Sequence, residues 1–252
     1  MMASLAQSRW FPPVALIVIV LALAGAAEFA PAVMQRRITQ GLVYLVAVVG
    51  LYVFVGNSGV LSFGNVAFMA IGAYVSALLT MPATAKSVFL PDLPAFLAAA
   101  EWPTLGGALA GGLAAAAVAL VAGFPLMRLS GISASIATFA LLVVCYVVLG
   151  NWSSVTGGQN SLMGLPIYVG VWTAAGWAAV AVAVAFLHQE SRSGLLLRAS
   201  REDEAAAAAS GVHLVRHRLA AFVLSAFLSG ISGVLLVHFL GTARVETFYL
   251  DL

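Results

Sequence analysis

Long apolar runs, rich in Ala, Leu and Val, occupy most of this sequence and are separated by short polar breaks. With 63% hydrophobic and only 8% charged residues, the chain could not cover these runs in water, so we assign it to a membrane. Backbone groups in lipid must be satisfied within helices or a closed barrel, and continuous rather than alternating apolarity indicates helices. The predicted fold class is all-α, a polytopic integral membrane helix bundle, with residues 1–252 forming a single transmembrane domain.

The lengths of the apolar runs predict seven membrane spans. The first could also be a signal peptide, because Arg9 precedes an apolar stretch that ends in small residues, but a first span is favoured. The proline-rich segment 82–103 indicates an extramembrane connection with a short interfacial helix at Ala95–Ala100. The spans are expected at about 13–34, 41–56, 65–81, 104–127, 132–150, 168–187 and 219–240.

The longest polar interruption, residues 188–218, holds five of the eleven Lys and Arg residues. Because basic residues favour the cytoplasmic side, this loop is expected to be cytoplasmic, with Arg9 on the same side. Counting the predicted spans back from this loop places segments 82–103 and 150–167 on the external side of the membrane. The same count puts Arg36 and Arg37 outside, which disagrees with the rule.

Within this loop, Arg198–Ser210 lacks Pro and Gly and is rich in Ala, which predicts a helix that Gly211 ends. Glu202, Asp203 and Glu204 are expected in its early part, where carboxylates suit the helix dipole. Such a compact helix could dock on a soluble partner. A merely solvated loop is the alternative, and it would be preferred for an arbitrary membrane protein.

A polar break, GNSGVLSFGN at 56–65, joins the second and third predicted spans. Both spans are about sixteen residues long, short of the twenty or so that a membrane needs, and such broken segments line pathways in some transporters. An ordinary turn between two tilted helices fits equally well. The candidate pathway residues are Asn57, Ser58, Ser62 and Asn65, with Thr156, Gly157 and Gly158 of the external segment.

Several classes of function lack support in the sequence. The only lysine, Lys86, has no glycine near it, so there is no Walker A loop, and no basic cluster is interleaved with the aromatic residues that nucleic-acid binding would use. His213 and His217 have metal-ligand spacing but no third ligand, so a solvated helix face is favoured and no metal or cofactor is predicted. The scarcity of charge within the spans argues against a proton-coupled carrier and against strongly charged solutes.

Two further features have mainly structural interpretations. His238 lies near the end of a span, where an interfacial position is the simpler account. Several glycines should allow close helix approach: Gly106, Gly107, Gly111, Gly112, Gly230 and Gly233.

Three motifs occur in order over about residues 41–240. The first comprises Gly56, Gly59, Ser62, Gly64, Phe68, Gly72, Ala73 and Tyr74. The second is Thr156-Gly157-Gly158 followed by Gly164-Leu165-Pro166, and the third is RASREDEAAAAASGVHLVRHRLAAFVLSAFLSGISGVLL. Together they resemble the LivM-type permeases of branched-chain amino acid ABC importers, although Ser161 stands where that family often has glycine.

The resemblance implies a type II importer permease in the bacterial inner membrane, without enzymatic activity of its own. Its implied partners are two ATP-binding subunits that hydrolyse ATP, a second homologous permease, a periplasmic solute-binding protein and an amino-acid substrate. Family members usually continue through further helices, so a C-terminally truncated chain is expected. The residues expected to carry coupling to the ATPase are Arg201, Glu202, Asp203, Glu204 and Gly211.

Other functions stay open at this point. Urea and short amides are rival substrates within the same architecture. An ATP-independent carrier or packing scaffold is a second class, and a membrane enzyme is a distant third because no catalytic set of residues assembles.

Overall fold

The computed structural model describes residues 10–249, so Arg9 lies outside the described residues. Strands β1 (Leu162–Met163) and β2 (Thr242–Ala243) pair antiparallel. The helices are α1 (Phe11–Ala27), α2 (Ala32–Ser58), α3 (Asn65–Thr80), α4 (Ala83–Phe89), α5 (Ala95–Ala98), α6 (Thr104–Leu126), α7 (Gly131–Asn151), α8 (Ser153–Thr156), α9 (Val171–Glu190), α10 (Arg192–Glu202), α11 (Glu204–Ala209) and α12 (Leu214–Leu240), followed by a 3-10 turn at Val245–Phe248.

The structure is an all-α, multi-pass membrane bundle, as predicted. Within residues 10–249, α2, α6, α7, α9 and α12 are long and apolar enough to cross a membrane. Helix α3 has only 16 residues and meets α4 at a bend of 118°, and α1 is a shorter apolar helix of 17 residues. By length and composition, the described residues therefore provide five helices that could span a membrane, or six if α3 and α4 count as one broken span, rather than the seven predicted.

The boundaries of the first two spans also differ from the prediction. Helix α1 ends at Ala27, before the expected limit of 34, and α2 starts directly after Pro31 rather than at 41. The expectation of a short second span is wrong, because α2 runs for 27 residues and includes Arg36 and Arg37 in its first turns.

Helix α12 is the central helix and packs against α2, α3 and α6. Glycines permit this contact. A Cβ on Gly233 would overlap the backbone carbonyl of Met69 on α3, and a Cβ on Gly111 would come within 2.6 Å of the Gly72 carbonyl oxygen. The prediction of close helix approach is thus confirmed for these glycines. Gly106 differs, because its nearest contacts are ordinary ones at 3.6 Å.

Successive helices run in alternating directions, which separates two ends of the bundle. At one end, which we call the loop end, the polar break 56–65 lies beside the start of α7, where Ser135 Oγ donates to the Leu61 carbonyl at 2.9 Å. The charged loop, residues 188–218, reaches the same end, where Arg201 contacts the end of α2. The opposite, strand end holds β1 and β2, and there Trp172 donates to Glu28 at 2.8 Å. Arg36 lies over the Phe239 ring at 5.5 Å, so it lies at the strand end, opposite the charged loop.

The proline-rich segment 82–103 is a folded cap at the strand end. Its second helix covers Ala95–Ala98, slightly shorter than the predicted interfacial helix. The buried Lys86 ammonium donates to the carbonyls of Leu97 (2.8 Å) and Ala100, and Glu101 accepts from the Ala83 amide at 2.6 Å. These bonds tie α4 and α5 together.

Candidate functional site

The charged loop folds into two short helices rather than one. Helix α10 begins at Arg192, where the Ser191 side chain accepts from the Gly194 amide at 3.2 Å. The predicted continuous helix over Arg198–Ser210 is interrupted at Asp203, whose backbone is extended (φ −152°, ψ 106°). The Asp203 carboxylate instead accepts from the Ala206 amide at 2.9 Å and so caps α11. A polar side chain that bonds to the nearby backbone has overridden the helix propensity of the alanines.

The interruption of the helix at Asp203 changes the environment of the three acidic residues. Asp203 and Glu204 lie at the start of α11, where negative charge is favourable. Glu202 is instead the last residue of α10, so the expectation that it also lies early in a helix is wrong. Its carboxylate is exposed and pairs with its neighbour Arg201 at 3.1 Å.

Gly211 ends α11 as predicted. Its φ of +82° is one that residues with a Cβ rarely adopt. The Gly211 amide donates to the Ala208 carbonyl (3.0 Å) and the Val212 amide to the Ala207 carbonyl (3.1 Å), the paired bonds of a Schellman motif. The chain then reverses into α12.

Helix α11 projects from the loop end. Nearly all of its side chains are exposed, and most of them are alanine methyl groups. Glu204, the first residue of α11, holds this helix against α12 by accepting a hydrogen bond from Arg218, whose side chain is only 5% exposed. Removing this carboxylate would leave a buried guanidinium without its charge partner, so Glu204 stabilises the position of α11 against α12.

Arg201 connects the charged loop to the polar break. Its Nη1 atom donates to the Gly56 carbonyl at 3.1 Å, and its aliphatic chain lies against Gly59. A Cβ on Gly59 would come within 2.6 Å of Arg201 Cγ. Two groups of residues that the sequence analysis treated separately therefore meet at the loop end.

The polar residues of the break are buried. Asn65 donates to Ser225 Oγ and Ser229 Oγ of α12, each at 3.1 Å, and Asn57 donates back to the Val53 carbonyl at 2.8 Å. Within residues 10–249, the Oδ1 atoms of both asparagines are buried without a hydrogen-bond partner. The break is thus an ordered, packed structure in which two buried asparagine oxygens lack a hydrogen-bond partner.

The hydroxyl groups of the break have local partners. Ser58 donates to the Phe54 carbonyl at 2.7 Å and accepts from the Val60 amide at 3.2 Å. Ser62 accepts from the Gly64 amide at 3.3 Å. Both hydroxyls therefore stabilise the shape of the break.

The external candidates Thr156, Gly157 and Gly158 lie at the strand end, apart from the polar break. The Thr156 hydroxyl oxygen lies 2.5 Å from the Leu149 carbonyl oxygen and 2.8 Å from the Trp152 carbonyl oxygen, which share its single proton, and it accepts from the Gly158 amide at 3.3 Å. Gly157 and Gly158 have φ values of +74° and +64°. This motif is a tight turn whose hydroxyl group bonds to the chain's own backbone.

His238 belongs to a buried polar cluster that the sequence analysis missed. It lies two residues before the end of α12 and is fully buried within the protein. One ring nitrogen lies 3.0 Å from Ser76 Oγ and 3.3 Å from Thr80 Oγ1, and the other lies 3.0 Å from the Pro166 carbonyl. Ser76 and Thr80, four residues apart on α3, share one helix face, and this was the available signal.

The two histidines with metal-ligand spacing are not joined by further ligands. His217 shares a hydrogen bond with Ser193 Oγ at 2.9 Å. In the described part of the chain, no group of three or more His, Cys, Asp and Glu side chains could hold a metal ion.

Taken together, the apolar bundle and its folded polar loop define a multi-pass membrane protein. The chain belongs to the family described as branched-chain amino acid transport system / permease component, which matches residues 33–252. It is similar to the high-affinity branched-chain amino acid transport system permease protein LivM of Salmonella typhimurium and of Escherichia coli, with 28% identity over 244 residues in each case. These findings confirm the family resemblance.

Both matches cover 83% of this chain and 53% of the relative, so the chain spans about half the length of the curated relatives it matches. No solved structure matches the chain.

Proposed function

We propose that this protein is a transmembrane permease subunit, of the type II kind, in an ATP-driven importer of branched-chain and other hydrophobic amino acids. The single observation that carries the proposal is the family match over residues 33–252. In this proposal, residues 1–252 act as one permease domain of the bacterial inner membrane, with the loop end in the cytoplasm.

The partners follow from the same proposal. ATP-binding subunits would dock at α11, because this helix is held against α12 by the Glu204–Arg218 ion pair yet exposes its alanine side chains. A second homologous permease would complete the membrane part, and a periplasmic solute-binding protein would deliver the amino acid at the strand end. ATP hydrolysis would take place on the ATP-binding subunits.

The buried polar groups of the break support a pathway role for Asn57, Ser58, Ser62 and Asn65. The Oδ1 atoms of Asn57 and Asn65 are unsatisfied acceptors, and buried polar groups normally find partners. A change of conformation or a passing solute would supply them. Thr156, Gly157 and Gly158 would shape the opposite mouth.

The proposal predicts ATP-driven amino-acid uptake. Deleting the gene in a strain without redundant systems should abolish uptake of labelled leucine, isoleucine and valine, and restoring it with its natural partner subunits should recover uptake. Excess unlabelled branched-chain amino acid should compete, whereas urea and acetamide should not.

Two results would contradict this expectation. Competition by urea or short amides would show that the importer carries these rival substrates. Uptake that stops when the proton gradient collapses while ATP is maintained would indicate an ATP-independent carrier.

A further inference from the structure

The contact between α10 and the polar break suggests how the two parts of the site work together. Arg201 is the last basic residue of α10, and Gly56 and Gly59 lie at the loop end of α2. The hydrogen bond from Arg201 to Gly56 crosses between these elements, and its aliphatic chain fills the space beside Gly59.

The geometry at Gly59 leaves little freedom for this contact. Gly59 has a φ of +71° and ends α2, with its amide donating to the Val55 carbonyl at 2.9 Å. Because a Cβ here would collide with Arg201 Cγ, the absence of a side chain lets the arginine lie directly on the backbone. At this residue the polar break leaves the helical conformation of α2.

The break in turn contacts the central helix. Asn65, at its far end, bonds to Ser225 and Ser229 of α12. On α2, a Cβ on Gly50 would lie 3.1 Å from Ser229 Oγ, so α2, α3 and α12 meet at the same two serines. A displacement of α10 would therefore reach α2, α3 and α12, through Arg201 at the polar break and through the direct packing of α10 on α2 and α12.

We propose that Arg201 is a positioning residue that joins α10 rigidly to the glycine-rich end of α2, so that movement of the charged loop moves the polar break. This inference rests on the proposed function, since the movement would originate in the ATP-binding subunits. Arg201 would act within this chain and would not itself bind the ATPase.

A substitution that keeps the aliphatic stem but removes the donor tests the role of the hydrogen bond. In the complete complex in proteoliposomes, Arg201→Met should leave ATPase co-purification unchanged and lower the amount of amino acid transported per ATP by about tenfold, within the range typical of coupling between sites. The matched control is Arg216→Met, which removes the same charge from an exposed position in the same region.

A covalent link tests whether the contact is rigid. A Cβ on Gly59 would lie 3.8 Å from Arg201 Cβ, within the range of about 3.5–4.5 Å for a disulfide. In a Gly59→Cys, Arg201→Cys protein in which the only native cysteine is changed (Cys145→Ala), oxidation should form the disulfide. The reduced protein should be uncoupled, and the oxidised protein should recover coupling. Because both forms carry the same substitutions, strain at position 59 cancels in this comparison.

Four results would overturn the inference. For Arg201→Met, they are full coupling of transport to ATP hydrolysis and loss of the co-purified ATPase. For the double cysteine protein, they are failure of the disulfide to form and oxidation that blocks transport performed by the reduced protein. A native complex without ATP-driven uptake would overturn the proposed function as well, so the two failures are distinguishable.

Discussion

Gly233→Ala should leave little folded protein in the membrane. The added Cβ would overlap the Met69 carbonyl on α3, and that atom belongs to the backbone, so no side-chain rotation can relieve the overlap. Overpacking of a core costs about 1–3 kcal/mol and more where backbones must separate. Since α12 is the central helix, its separation from α3 would also disturb α2 and α6. The measurement is the yield and the thermal unfolding midpoint of the detergent-purified protein.

Gly176→Ala is the matched control for this prediction. Gly176 lies on α9, and a Cβ there would meet nothing within 4 Å. Alanine also has the higher helix propensity, so this variant should match the native protein or exceed it slightly. Equal yields and equal midpoints for the two alanine variants would contradict the packing of α12 against α3.

His238→Leu should destabilise the strand end. Leucine can fill the space but offers no partner to Ser76 Oγ, which is fully buried, or to the Pro166 carbonyl. Each buried polar group left unpaired costs about 1–3 kcal/mol. The unfolding midpoint should fall, and amide exchange in residues 164–170 should accelerate, because His238 ties that segment to α3 and α12.

His238→Gln and His213→Leu provide the comparison. Glutamine keeps a donor and an acceptor and should recover part of the stability. His213 is exposed, so replacing its ring with leucine should have little effect. A native-like midpoint for His238→Leu, with unchanged exchange in 164–170, would show that the cluster contributes nothing to stability.

The parts of the fold that the sequence predicted correctly depend on local signals. Continuous apolarity indicates membrane helices wherever it occurs, and glycines such as Gly233 and Gly111 mark close contacts because no other residue permits them. Gly211 was recognised as a helix end for the same reason, since its backbone conformation strongly favours glycine.

The predictions of helix boundaries were wrong where other interactions outweighed hydropathy or helix propensity. Hydropathy suggested that the second span starts after Arg36 and Arg37, but α2 begins at the first residue after Pro31 and carries these charges in its first turns. Alanine content suggested one helix in the charged loop, but the Asp203 carboxylate caps a new helix there.

Long-range contacts in the site could not be predicted. The partners of His238 on α3 are distant in sequence, as is the Gly56 carbonyl that Arg201 contacts. One sequence gives residue types and local spacing, whereas these pairs depend on how helices pack. The sequence therefore identified the charged loop and the polar break separately, and the structure shows that they touch.

In the proposed function, an ATP-binding subunit docks on the exposed helix α11. The most direct measurement is co-purification of the natural ATP-binding subunits with the native protein and with an Ala205→Arg, Ala209→Arg double variant. Both alanines are exposed on one helix face, and their methyl groups can be replaced without touching Asp203 or Glu204. We predict that the native protein retains the ATPase and that the folded double variant loses it. Absence of the ATPase from the native protein, or its full retention by the double variant, would contradict the account.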